Sequence, residues 1–464
     1  MKLKSIQFKD HPALGDYILK LNTRPGPQVH YLVGNNGSGK SQILSAIYSV
    51  LSGKNFDTEH KYSLVLDVEA SRPELDYINL PGNQKLFPGG GKIEDITFES
   101  LGNHSYHRNI LAKADATPTG SRMNIGDSAL CPIVYSEVEI NFTKQKVSST
   151  TGQIADIDKP SEKSDDLNTV VPQLLVDIQT DDDSKVARVT RFNKDRNKLD
   201  NELSALNLKM PRFEGAYNLV MKGSKQFNGI DRDGSGYTIN FKDSKGVVVD
   251  LSDLSSGEKQ VIYRLGFILK NLDTIKNGIV LIDEPEISLH PDWQIKFKEI
   301  LLKLFKGTEI QIIIATHSPY IFHHFDSTKE ECIHVNRNNK VSKNIELDIR
   351  GNIENPSPNF ISYKAFGLVS ENLHLELYAK LAIISGTTSV NSFNNWLAAQ
   401  NPGLVKENRS ATGASHFPGG HTVDETLPIW IRNKLSHPDI TDRRDFTKAD
   451  LKKSINLMVK VLTR

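Results

Sequence analysis

The run GNNGSGKS (Gly34–Ser41) arranges its residues for one kind of chemistry. It fits G-x-x-x-x-G-K-[ST], with the apolar stretch QVHYLV before it and a helical segment, Ser41 to Leu51, after it. Gly34, Gly37 and Gly39 let the backbone turn its amides onto phosphate oxygens at a helix N-terminus. Asn35, Asn36 and Ser38 belong to the same cradle. Lys40 reaches β- and γ-phosphates, and the Ser41 hydroxyl ligates magnesium. ATP and Mg2+ are therefore the expected cofactors. The bland alternative, an ordinary Gly-rich turn, does not account for strand, loop and helix standing in that order.

A second element completes this chemistry. GIVLIDEP (278–285) reads as a buried strand that ends in carboxylates. Asp283 holds magnesium, directly or through water, and Glu284 polarises an attacking water as a base. In ATHSP (315–319), His317 stands at the end of the next strand, the edge where parallel sheets bind ligands. It is expected to contact the γ-phosphate or that water, the alternative being a strand-end histidine capped by Ser318.

LSSGEKQ (254–260) resembles the signature motif of ABC-type ATPases, usually Leu-Ser-Gly-Gly-Gln. Ser256 replaces the first Gly and Glu258 the Gln, a variant similar to the soluble branch that includes SMC and recombination ATPases. A Ser-Gly turn opening a helix offers hydroxyls, amides and a positive dipole end to an anion. The resemblance implies that Leu254, Ser255, Ser256, Gly257 and Glu258 act in trans, on the γ-phosphate held by an opposite subunit. It covers roughly residues 1–345. The family's Gln-containing loop has no clear counterpart, Gln173 being a poor candidate in a helical stretch. PEISLHP (285–291) resembles compact ABC-type ATPases of bacterial defence and repair rather than transporters. No sustained heptads predict a long coiled-coil arm.

The elements that position these residues follow from periodicity. KLKSIQF and QVHYLV read as strands, as does IQIIIA before His317. Residues 148–168 are polar and read as a mobile segment. A helical lobe is expected over about 168–272, with YTINF and GVVVDL as a hairpin inside it. Ile262, Leu265, Ile268, Leu269 and Leu272 follow at helical spacing, as do Phe297, Ile300, Leu301, Leu304 and Phe305. Strands alternating with helices predict an α/β fold with a parallel sheet. The resemblance implies that residues 1–345 form a P-loop ABC-type ATPase domain. From about residue 346 the texture changes, ENPSPN is a break, and residues 346–464 are expected to form a mostly helical assembly and partner-docking domain. Two further patterns are decoys. NKLD (197–200) matches a guanine-reading motif but lies in a charged helical stretch. DRDGSG (231–236) starts like a calcium loop, yet Lys242 occupies the position of the closing Glu.

Composition sets the remaining bounds. A net charge of +1 gives no global bias toward nucleic acid or membrane. Cys131 and Cys332 are far apart, without a C-x-x-C, which suits a reducing, cytoplasmic setting. The N-terminus lacks the apolar region of a signal peptide, and no apolar run is long enough to span a bilayer.

In the tail, LPIWIRNKLSHPD (427–439) contains Arg432, Asn433 and His437, an R-N-x-x-x-H that resembles the HEPN ribonuclease motif. His437 precedes Pro438, where a helix must stop, so these residues equally suit the tying of a helix end. Residues from 425 onward carry a modest basic excess, ordinarily a solvated face. Together with AFGLVSENLHLELYAKL (365–381), this stretch resembles the ATPase subunit of Septu and retron-associated anti-phage systems, with the PARIS ATPase as runner-up. The resemblance implies a homodimer or higher oligomer of dimers that controls a separate nuclease of HNH or TOPRIM type. Nucleic acid is a further expected contact, through the complex. No metal-nuclease spacing of His and carboxylates stands outside the ATP site, so the chain itself is not expected to cut DNA. The alternatives are an ATPase-gated HEPN-like ribonuclease toxin and a DNA-repair or recombination ATPase.

Overall fold

Apolar runs without polar alternation need burial on both faces, which a parallel sheet flanked by other layers supplies. Three such strands, β3 (Gln28–Val33), β13 (Ile279–Asp283) and β14 (Gln311–Ala315), are buried at every position. The computed structural model describes residues 1–52, 63–69, 95–100, 108–114, 117–121, 132–136, 161–163, 171–192, 196–206, 208–222, 224–233, 236–270, 275, 277–347, 356–400, 406–410, 422–436 and 445–463. The three strands lie in a seven-stranded sheet with β8 (Ile133–Ser136), β9 (Ser161–Lys163), β15 (Glu330–His334) and β16 (Lys343–Ile345), in the order β16-β15-β3-β14-β13-β8-β9. All pairings from β15 to β9 are parallel. Asp283 pairs with Ala315, and Ala315 with Leu32. The ends of β13, β14 and β3 therefore come level at one edge.

A second, antiparallel sheet has the order β2-β1-β4-β5-β6-β7. Its strands are β1 (Lys2–His11), β2 (Gly15–Lys20), β4 (Ser63–Glu69), β5 (Asp95–Ser100), β6 (Arg108–Ala114) and β7 (Thr117–Ser121). Helix α1 (Lys40–Ser52) joins the two sheets in one core. Ile43, Leu44 and Ile47 cluster with Ile6 and Leu66 of the antiparallel sheet and with Leu281 and Ile313 of the parallel one. Alternating helices and strands predicted only the parallel sheet; the antiparallel one is an addition to that expectation.

The lobe runs through α2 (Val171–Phe192), α3 (Arg196–Ala205) and α4 (Met210–Val220), then the three-stranded sheet β10 (Gln226–Asp233), β11 (Gly236–Lys242) and β12 (Val248–Asp250). Helix α5 (Ser256–Lys270) follows. Ring contacts join α4 to this sheet, with Phe213 5.4 Å from Phe227 and Tyr217 5.3 Å from Phe241. Of the segment read as mobile, Ser161–Lys163 form edge strand β9 instead, and the rest lies outside the described residues. The NKLD decoy lies within α3. Asp233 and Gly236 close a hairpin, so the calcium-like run is a turn. Gln173 sits in α2 and donates to Asp177 at 2.7 Å. After β13 comes α6 (Pro291–Leu304), buried along Phe297, Ile300 and Leu301.

The chain divides into two compact units, Met1–Ile321 with Thr328–Asn344, and Phe322–Ser327 with Ile345–Arg464. The second contains α7 (Pro358–Phe366), α8 (Glu371–Ser385), α9 (Val390–Gln400), α10 (Leu427–Ser436), α11 (Lys448–Leu462) and the hairpin β17 (Lys406–Ser410) and β18 (Thr422–Thr426). Leu373, Leu377, Leu381, Trp430 and Ile455 belong to its core. Its helices have explicit ends: Ser357 and Ser370 cap two N-termini, Gly367 and Gly386 close two C-termini, and Thr447 forms a capping box with Asp450. The expected α/β class is observed, with a parallel sheet, an inserted lobe and a mostly helical second unit. No described helix is long and apolar enough to cross a membrane.

Candidate functional site

The loop between β3 and α1 has a shape that few residues permit. Gly39 adopts φ +100°, a conformation strained for any side chain. Lys40, the first residue of α1, is buried. Its ammonium donates to the carbonyls of Gly34 at 3.2 Å and Asn35 at 3.4 Å, and to His317 Nε2 at 2.7 Å. Burial lowers the Lys40 pKa, while Glu284, Asp283 and Glu286 oppose that shift. Burial and then Lys40 lower the His317 pKa, with Glu284 acting against them. The neutral imidazole is thus favoured, with Nε2 accepting from Lys40.

The carboxylates gather at the end of β13. Asp283 is 1% exposed. Its Oδ2 accepts from Tyr135 Oη at 3.5 Å, and its carboxylate accepts from the Ser41 hydroxyl. Oδ1 is buried without a hydrogen-bond partner. Burial is the chief cause of its raised pKa, reinforced by Glu284 and countered by Ser41, Arg264 and Lys40. Such an orphaned buried oxygen is costly. A hydroxyl and a carboxylate with a spare oxygen are hard donors, so the pair fits Mg2+.

Glu284 leaves the strand in the left-handed region, at φ +41°. For a residue other than Gly that costs on the order of 1–3 kcal/mol and persists only when its surroundings fix it. Its Oε1 lies 3.5 Å from His317 Nε2. Two residues on, Glu286 accepts the backbone N–H of His317 at 2.5 Å. Burial first, with the Glu284 charge, raises the Glu286 pKa against hydrogen bonds from His317 and Thr316. Asn36, Gly37, Gly39, Lys40, Ser41, Glu284, Glu286, His317 and Arg337 all line one cavity of ≈ 660 Å³.

The signature residues do not line that cavity. Ser255 caps α5: Glu258 N donates to Ser255 Oγ at 3.3 Å, and Ser255 N and Oγ donate to Glu258 at 2.7 and 2.9 Å. This reciprocal box fixes the helix start. Lys225 at 3.1 Å and Ser224 at 3.2 Å also hold the Glu258 carboxylate. Burial pushes its pKa up, but the Ser255 and Lys225 bonds outweigh burial and leave it lowered. Leu254, Gly257 and Glu258 are buried, while Ser255 and Ser256 are exposed. A Cβ on Gly257 would overlap the Ser288 carbonyl oxygen, so this turn is packed against the segment that follows Glu284.

The tail motif is treated differently. Arg432 stacks over the Tyr378 ring at 5.7 Å and donates to Asn433 at 3.1 Å, while Asn433 donates to Glu425 at 3.0 Å. His437 lies outside the described residues.

Three residues at or behind the cavity went unread in the sequence. Glu286 stands in the quoted PEISLHP. Arg264 is a lone cation on the apolar face of α5, and that mismatch is its signal. Arg337 belongs to a turn after β15 and carries none.

Comparison with known proteins gives partial likenesses. The chain is 37% identical over 94 residues to the "Retron Ec83 probable ATPase" of Escherichia coli, covering 18% of this chain and 17% of that protein. It is 28% identical over 134 residues to the "Septu protein PtuA" of Bacillus thuringiensis, covering 26% and 33%. It thus spans about a sixth to a third of the length of these relatives. A solved SMC head bound to the C-winged helix domain of ScpA matches 76% of this chain and 99% of its own, at 15% identity and a TM-score of 0.45. A family model matches residues 81–322, just over half of the chain, and so the chain belongs to the family described as "AAA domain, putative AbiEii toxin, Type IV TA system".

Proposed function

We propose that this chain is the ATP-hydrolysing regulatory subunit of a bacterial anti-phage defence complex in the cytoplasm. It pairs head to tail with a second copy on ATP and controls a separate nuclease of HNH or TOPRIM type. The observation that carries the ATPase reading is the shared cavity, where a phosphate loop faces Glu284 and His317. The likeness to retron and Septu proteins supports the defence setting.

In this reading the amides of 34–39 and Lys40 grip the β- and γ-phosphates. Lys40 exchanges loop carbonyls for phosphate oxygens. Ser41 and Asp283 would hold Mg2+, which neutralises charge on the phosphates when bound. Glu284 accepts the proton of a water as that water attacks the γ-phosphorus. The bond to the bridging β–γ oxygen breaks, ADP leaves with the electron pair, and inorganic phosphate forms. His317, held by Glu286 and directed at Lys40, orients the γ-phosphate or the water. Exposed Ser255 and Ser256, at a positive helix end, complete the partner's site.

The tail then serves for assembly, a role in keeping with Arg432 lying over Tyr378 and bonding Asn433, and Asn433 bonding Glu425. That favours docking over a ribonuclease centre. Glu284→Gln tests the ATPase step: nucleotide binding should persist while turnover falls on the order of 10²–10⁴-fold. Undiminished turnover would contradict the assignment. Purification of the native operon products should recover a nuclease with this chain, and its absence would remove the regulatory role.

A further inference from the structure

Arg264 lies two and a half turns beyond Ser255 on α5, and its side chain is fully buried. A buried guanidinium is costly, and an apolar residue of similar volume would ordinarily fill such a space with less desolvation. Its hydrogen bonds show where the cation is used. Nη1 donates to Ser136 Oγ at 2.8 Å, and Nη2 to the backbone carbonyls of Asp283 at 3.2 Å and Glu284 at 3.4 Å. Nε has no hydrogen-bond partner. All three acceptors are neutral oxygens, and two belong to consecutive residues at the β13 exit. The second of those residues has the left-handed backbone at φ +41°. The same helix meets this segment again where Gly257 packs on Ser288, itself at φ +61°.

We infer that Arg264 is a positioning residue for hydrolysis: by gripping the Asp283 and Glu284 carbonyls it holds the Glu284 backbone in its strained turn, so that the carboxylate faces the cavity. Planar guanidinium geometry suits this role, since one nitrogen can span two successive carbonyls while another is anchored to Ser136 on β8. Glu284 has its own backbone bond, from its N–H to Ala315 at 2.9 Å, so losing Arg264 loosens the turn without freeing it. The inference rests on the ATPase reading above.

Arg264→Lys and Arg264→Met test it, with ATP binding, kcat, KM and thermal unfolding measured for each. Binding and KM should stay within about twofold, because Lys40 and the phosphate loop are untouched. A carboxylate misplaced by about 1 Å should lower kcat on the order of 10²-fold in Arg264→Met and less in Arg264→Lys, which restores one donor. Ser136→Ala removes the anchor but leaves Arg264 its two carbonyls, and should give a smaller loss of kcat at unchanged KM. It keeps the test open if the Met variant does not fold. In a Glu284→Gln background Arg264→Lys should add no further loss in single turnover, since it acts through Glu284. An Arg264→Lys or Ser136→Ala protein that melts lower yet keeps wild-type kcat would overturn the inference while leaving the ATPase reading intact. Full turnover by Glu284→Gln would instead overturn that reading, and this inference with it.

Discussion

The edge of the parallel sheet and the C-terminal helical unit both present polar residues at motif spacing, yet folding uses those residues in opposite ways. At the sheet edge, polar capacity is left over. Asp283 keeps a buried oxygen without a donor, Glu284 sits in strained backbone, and Lys40 spans two loop carbonyls and a histidine. In the C-terminal unit, Arg432 lies on Tyr378, Asn433 bonds Glu425, and three helices carry caps. Spacing in sequence marks a candidate; at the sheet edge an unsatisfied buried oxygen beside the phosphate loop marks where a ligand gains binding energy.

The sharpest way to break this contrast is to remove the cation at the sheet edge. Lys40→Ala should weaken ATP binding by about 10²-fold or more, since charge-assisted contacts to phosphate disappear, with little change in unfolding temperature. Titration with a fluorescent ATP analogue reads this directly. Equal affinity in the two proteins would remove the phosphate loop from the account of binding.

In the C-terminal unit the largest electrostatic effect should be on stability. His374 is fully buried, with Nε2 3.0 Å from Ser454 Oγ and Nδ1 unpartnered. Burial lowers its pKa from 6.5 to about 4. The folded state thus resists a proton that the unfolded chain accepts. The neutral ring's stability is fully present above pH 6.5 and is lost as pH falls toward 4, on the order of 3 kcal/mol in all. Denaturant unfolding at pH 7 and pH 4.5 should show this loss in the wild type and a smaller one in His374→Gln. Equal acid sensitivity would place the titrating group elsewhere.

A smaller effect sharpens the contrast from the tail side. Arg432→Ala should cost about 0.5–1 kcal/mol, the worth of a half-buried cation–π contact, and leave ATP turnover unchanged. Melting and ATPase assays check both. RNA cleavage by the wild type that vanishes in Arg432→Ala, with an unchanged melt, would make the tail a catalytic centre.

Much of the parallel layer was legible in the sequence because its determinants are local. QVHYLV, GIVLID and IQIIIA are apolar without alternation, and the Gly-rich loop needs backbone angles that other residues resist. Less legible features depend on contacts far apart in the chain. The antiparallel sheet joins β1 to β4 and then to short strands from residue 95 onward, pairings that no local period announces. Arg264 gains its meaning only where its guanidinium meets the Asp283 carbonyl, and Glu286 only where its carboxylate meets the His317 backbone. The hairpin of YTINF with GVVVDL was readable because both are short runs between turn residues, whereas the packing of Phe241 on Tyr217 was not.

In the proposed pairing, Ser255 and its neighbours serve a phosphate loop in another copy of the chain. Mixing Lys40→Ala protein with Ser255→Arg protein tests it most directly. Each variant alone should be inactive, one lacking the phosphate grip and the other blocking its neighbour. A head-to-tail pair formed from the two keeps one intact composite site, so the mixture should recover ATP turnover, up to about a quarter of the wild-type rate if pairing is random and sites act independently. A mixture as inactive as its components, alongside a wild-type rate per chain that does not rise with protein concentration, would contradict the shared site.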